Sequence, residues 1–143
     1  MELTRKPSSR VNSPPTGVAV NSSHIFWINY DGPDSVNEAN LDGSNPQTLV
    51  TGQYNPLGIA VHGSYIYWAV LHAGTINRAN LNGSDPKILV TGQDSPWGVA
   101  VGSYIYWTSY EGGTVSRANL NGGNPHTLVS VSGDNFEGVA VSP

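Results

Sequence analysis

Cysteine is absent from the 143 residues. That excludes a disulfide scaffold and any thiolate metal site, and it leaves the redox compartment open. Charge is scarce as well, with Asp, Glu, Lys and Arg at 11% and a net charge of −4. No basic patch suggests nucleic acid, and no acidic run suggests a disordered tail. Of the six Lys and Arg, four (Arg5, Lys6, Arg10 and Lys87) lie outside the repeated ANL segment. No apolar run approaches the ~18 residues of a membrane span. Neither nucleic acid nor membrane is therefore expected as a partner. The opening MELTRKPSSRVNSPP has no apolar h-region of the kind a signal peptide needs, and residues 1–14 read as a flexible polar arm.

Turn-forming residues are plentiful, with 17 Gly and 10 Pro against one Met and two Phe. This composition fits short strands between turns rather than helices. The strands come in a repeat. Residues 105–129 read IYWTSYEGGTVSRANLNGGNPHTLV, 66–90 read IYWAVLHAGTINRANLNGSDPKILV, and 25–50 carry a third version. Trp27, Trp68 and Trp107 are 41 and 39 residues apart, and Leu41, Leu81 and Leu120 follow at nearly the same spacing, 40 and 39. A further motif occurs four times: PTGVAV, PLGIAV, PWGVAV and FEGVAV, the last at 136–141. A unit of about 40 residues is the period of a four-stranded propeller blade.

Four strands can be read in each unit. GVAV or GIAV is the first, and an aromatic, β-branched run such as YIYWAV is the second. TINRANL and its relatives make the third, and KILV and its relatives the fourth. Between the last two, LDG or LNG predicts a tight hairpin turn with Gly at positive φ. The first strand shows no polar alternation, as expected where neighbouring blades cover both faces. The fold expected is all-β: a β-propeller with three four-stranded blades, at about 15–52, 53–92 and 93–131, plus an extra C-terminal inner strand at 136–141. The three tryptophans, repeated at one strand position, are expected in its core.

The pattern P-x-G-[VI]-A-V, then [IF]-[YF]-W, then R-A-N-L-[DN]-G, then L-V resembles the LDL-receptor class B, or YWTD, repeat. The resemblance covers residues 15 to 143. At the naming motif the chain has FWIN, YWAV and YWTS, so Asn29, Val70 and Ser109 stand where the family has Asp. The resemblance implies a six-bladed propeller, an extracellular setting and a function in binding proteins or docking on neighbouring domains. No family partner-binding residue is carried over.

Three blades do not close a six-bladed ring. Four strands about 4.8 Å apart and about 17 Å long give each bare blade face roughly 300 Å². Two such faces approach the size at which exposed apolar surface implies a partner or aggregation. A homodimer closing the ring about a two-fold axis is therefore expected. The copy of GVAV at 138–141 then competes with GVAV at 17–20 for one inner slot. The alternative is a self-assembling fragment of a longer propeller without its own ligand.

Comparison of the units separates scaffold from candidate site. The turns LDGSNP, LNGSDP and LNGGNP hardly differ, whereas the loops NYDGPDS, VLHAGT and SYEGGT do, as do the connections TGQYNP, TGQDSP and SVSGDNF. In an up-and-down blade both variable sets emerge from one end, as on a rigid scaffold that carries a binding surface. The candidates are Tyr30, Asp31, Tyr54, His72 and Asp94, with Trp97, Tyr110, Glu111 and Phe136. Trp97 takes the slot of Thr16, Leu57 and Glu137, where packing does not demand an aromatic. Aromatic anchors beside acids suit a polar ligand, such as a sugar or a peptide with a basic residue. Loop residues also diverge when nothing selects them.

Enzyme chemistry finds little support in the sequence. No HxH, HExxH or GxSxG occurs, and of four His only His72 falls on the variable end. A cluster of His72, Asp31 and Glu111 is the one metal arrangement to consider. The expectation is a non-catalytic binding or scaffold module without catalytic residues, metal or cofactor. The alternatives are a propeller lyase or hydrolase and a sugar-binding lectin.

Overall fold

A computed structural model describes residues 15–30 and 34–142 of the chain. The arm expected over 1–14 lies outside the described residues. Strands β1 (Pro15–Val20), β2 (His24–Asn29), β3 (Ser35–Asn40) and β4 (Gln47–Thr51) form the first sheet. The second holds β5 (Pro56–His62), β6 (Tyr65–Val70), β7 (Thr75–Asn80) and β8 (Lys87–Val90). The third holds β9 (Pro96–Val101), β10 (Ile105–Ser109), β11 (Thr114–Ala118) and β12 (His126–Ser130). Each is an antiparallel meander in chain order, which short links between strands require. These sheets are blades 1, 2 and 3.

Period-two alternation turns each blade into a two-faced spacer. Phe26, Ile28, Val36 and Val50 of blade 1 pack on Ile59, Ile66, Trp68 and Val70 of blade 2. The other face of blade 2, with Tyr67, Ala69, Ile76 and Val90, packs on Val99, Ile105 and Trp107 of blade 3. The tryptophan of each blade thus points back and its aromatic neighbour points forward. Trp68 and Trp107 are fully buried, as the sequence predicts for core residues. Trp27, with no earlier blade beside it among the described residues, is only half-buried.

The glycine of the first-strand motif has a steric cause. A Cβ on Gly17 would stand 2.6 Å from the Leu57 carbonyl oxygen, and one on Gly58 would stand 2.3 Å from that of Trp97. Inner strands therefore stack backbone on backbone, an approach that a side chain at this position would block. The contact occurs a third time, between Gly98 and the Glu137 carbonyl oxygen at 2.4 Å. Residue 137 thus sits on blade 3 as Trp97 sits on blade 2. The Thr108 hydroxyl accepts from the Gly98 amide at 2.9 Å and donates to the Glu137 carbonyl at 3.1 Å. The extra strand expected at 136–141 is not formed, although the segment occupies its place. Strand structure needs a ladder partner, and among the described residues none lies there.

Polar groups at the joints are paired by repeat. Trp68 Nε1 donates to Gln53 Oε1 at 2.9 Å, and Trp107 Nε1 donates to Gln93 Oε1 at 3.0 Å. Arg78 and Arg117 lie 4.1 Å from the ring centroids of Tyr65 and Tyr104. Blade 1 replaces this pair with Glu38 and His24, whose Oε2 and Nε2 atoms are 3.6 Å apart.

The β3–β4 turn differs from the tight hairpin that LDG predicts. It spans residues 41–46 and holds two left-handed positions, Gly43 at φ 85° and Asn45 at φ 52°. Gly83 with Asp85, and Gly122 with Asn124, repeat this. Asp42 Oδ1 accepts from the Ser44 hydroxyl at 2.6 Å and its amide at 2.9 Å. These two bonds, the hydroxyl's first, hold the Asp42 carboxyl below the usual carboxylate range. Asn82 makes the same contacts with Ser84. A side-chain-braced loop thus replaces the two-residue turn.

Candidate functional site

The β2–β3, β6–β7 and β10–β11 loops emerge at the same end of the blades as the connections between blades, because every strand reverses direction. Blades 2 and 3 build a cleft of about 470 Å³ there. Its lining includes His72 from the β6–β7 loop, Asp94 from the connection, Trp97 from β9, and Tyr110 and Glu111 from the β10–β11 loop. Five of the nine candidate residues therefore share one cleft.

A joint between rigid blades sets this geometry. Trp97 is carried by β9, one residue before the Gly98 that stacks on the next segment. Its indole lies 4.7 Å from the Tyr110 ring at 28°, a stacked pair. Glu111 accepts from the Ser95 hydroxyl at 3.2 Å, which ties the β10–β11 loop to the connection. Asp94 Oδ2 would be 3.5 Å from a Cβ on Gly112, so its carboxylate lies along the same loop. Tyr54 stands just beyond the cleft lining with its ring 5.2 Å from that of His72, tilted by 49°.

Two described candidates lie apart from this cluster. Tyr30 is half-buried after β2, and Phe136 is half-buried beyond β12; neither lines the cleft. Asp31 lies outside the described residues. Among the described residues no three His, Asp or Glu side chains converge to hold a metal ion.

Two polar lining residues lie outside the candidate set. Gln93 belongs to TGQ, which is identical in two connections, so it reads as scaffold; it is both scaffold, under Trp107, and lining. Ser95 takes the left-handed slot that Asn55 takes one unit earlier, at φ 50° and 59°. The signal available for Ser95 is its place directly before Pro96. Chemically, the cleft offers a flat aromatic wall, two carboxylates and an imidazole. Such a wall can stack on an apolar ring face while the carboxylates accept hydrogen bonds or meet a cation.

A chain of a nidogen/laminin complex superposes with a TM-score of 0.80 at 21% identity, over 87% of this chain and 51% of that one. The present chain thus spans about half the length of that match. The computationally designed Ika4 protein superposes with a TM-score of 0.68 at 12% identity, over 99% of this chain and 89% of Ika4. No family model matches the sequence, and no curated protein matches it. The likeness is one of fold: the chain is an all-β arc of propeller blades that resembles YWTD-type repeats.

Proposed function

We propose that the protein is a non-catalytic binding module, a propeller ring completed by a second copy of the chain, with its ligand at the loop end of blades 2 and 3. The observation that carries this reading is the Trp97–Tyr110 stack beside His72, Asp94 and Glu111 in one cleft. The ligand is polar with a flat apolar face, as a sugar ring or a basic side chain in a peptide would be. Length supports the ring, because 87% of this chain matches half of a chain of the same fold. Two copies make one such length.

Titration of sugars and of short basic peptides, followed by tryptophan fluorescence, tests the site. A true ligand shifts the emission, and Trp97→Ala costs at least about 2 kcal/mol of affinity, roughly thirtyfold, while circular dichroism stays unchanged. Binding that survives Trp97→Ala unchanged would remove the site from this cleft.

A further inference from the structure

The two outer faces of the arc are halves of the joint that its interior makes twice. Turn glycines Gly83 and Gly122 press on the outer strand of the preceding blade. Their absent Cβ atoms would lie 2.6 and 2.4 Å from the Leu49 and Leu89 carbonyl oxygens. Val50 and Val90 are buried beneath, at 7% and 4% exposure. Arg78, stacked on Tyr65, donates from Nη1 to the Leu120 carbonyl of the next blade at 3.3 Å.

Blade 3 holds the equivalent residues in readiness. Leu128 and Val129 are 44% and 46% exposed. Arg117 is stacked on Tyr104 as Arg78 is on Tyr65, and its Nε is buried without a partner among the described residues. Blade 1 holds the missing counterparts on its backward face. Gly43 has open space where Gly83 and Gly122 meet a leucine carbonyl. Leu41, the equivalent of Leu120, is 54% exposed, and Val18 is 71% exposed. Trp27 lines an open apolar cleft of about 510 Å³ with Pro15, Gly17 and Ile25.

We infer that a second copy of this chain docks its blade 1 on blade 3, with its Leu41 carbonyl on Arg117 and its Gly43 against Leu128. Residues 136–141 are then a placeholder that the incoming β1 displaces. The inference rests on the two-copy ring proposed above and assigns its joint. Two head-to-tail joints of this kind close a ring with a two-fold axis.

The displacement follows from unequal holding of identical sequences. GVAV at 17–20 is paired with β2 at all four positions, and Pro15 adds a fifth pair. GVAV at 138–141 has no ladder; the segment is held by the Thr108 bond to Glu137 and by side-chain packing such as Val141 over Gly102. Removing the second breaks less. The Thr16 carbonyl arrives where the Glu137 carbonyl was, so the Thr108 hydroxyl keeps an acceptor.

Light scattering and sedimentation of the full chain across a dilution series test this. The expected species has twice the 15.1 kDa chain mass and dissociates on dilution. Arg117→Gln raises the dimer Kd by about 10- to 100-fold, the loss of a charged hydrogen bond. Val139→Asp with Val141→Asp unseats the placeholder and lowers the Kd. A Kd raised by the double variant would overturn displacement and make 136–141 part of the joint. A dimer indifferent to Arg117→Gln would overturn this joint while leaving the ring. A monomer at every concentration, in all variants, would overturn the ring itself.

Discussion

Gln53 illustrates what one side chain contributes to a joint. Its Oε1 accepts from Trp68 Nε1 and, at 3.4 Å, from Asn77 Nδ2, both from blade 2. A buried indole N–H left without an acceptor costs about 1–3 kcal/mol. Gln53→Leu keeps the volume and removes the acceptor, so the unfolding free energy read from urea titration falls by that amount and the midpoint falls with it, with the strand content unchanged. An unchanged midpoint would mean that water replaces the amide. This pairing is invisible in sequence because the partners are 15 residues apart, on different elements. The repetition of TGQ and of Trp shows that both matter without showing that they meet. The same holds for the cleft: variation between units points to Trp97 and Tyr110, and only the fold stacks them.

At the scale of elements, the stacked inner strands carry the sharpest expectation. An Ala Cβ at position 58 would meet backbone on blade 3, namely the Trp97 oxygen at 2.3 Å and the Gly98 Cα at 2.8 Å. Backbone cannot rotate away as a side chain can, so the joint must open. Gly58→Ala therefore lowers stability by about 1–3 kcal/mol, as overpacking does. Gly138→Ala, with nothing within 4 Å, leaves the thermal midpoint of the single chain unchanged. Equal midpoints for the two variants would deny the close approach. Strands were legible because each unit solves one packing problem with one alternation of apolar residues. The turn was not, because LDG carries only the first of two left-handed positions, and the second falls at Asn45, Asp85 or Asn124. The last strand was misread for a different reason. Its residues match β1, but a strand is a property of two segments, and among the described residues only one lies there.

The whole molecule is quasi-one-dimensional, each blade packing on its neighbours in sequence. Blade 2 lies between both hydrophobic clusters, while β12 is exposed along its length. Amide exchange should consequently be slowest in β6 and β7 and fastest in β12 under conditions that favour the single chain. Protection that rises in β12 and β1 with protein concentration would report the joint between copies. A flat profile across blades would deny this arrangement. The glycine-on-carbonyl contact also bears on how such a protein can change over generations. At Gly17, Gly58 and Gly98 the tightest approach is to a neighbouring main-chain oxygen rather than to a side chain. A blade can therefore be duplicated, deleted or traded without renegotiating its seams, and its loops are free to drift toward new ligands while the seams stay the same.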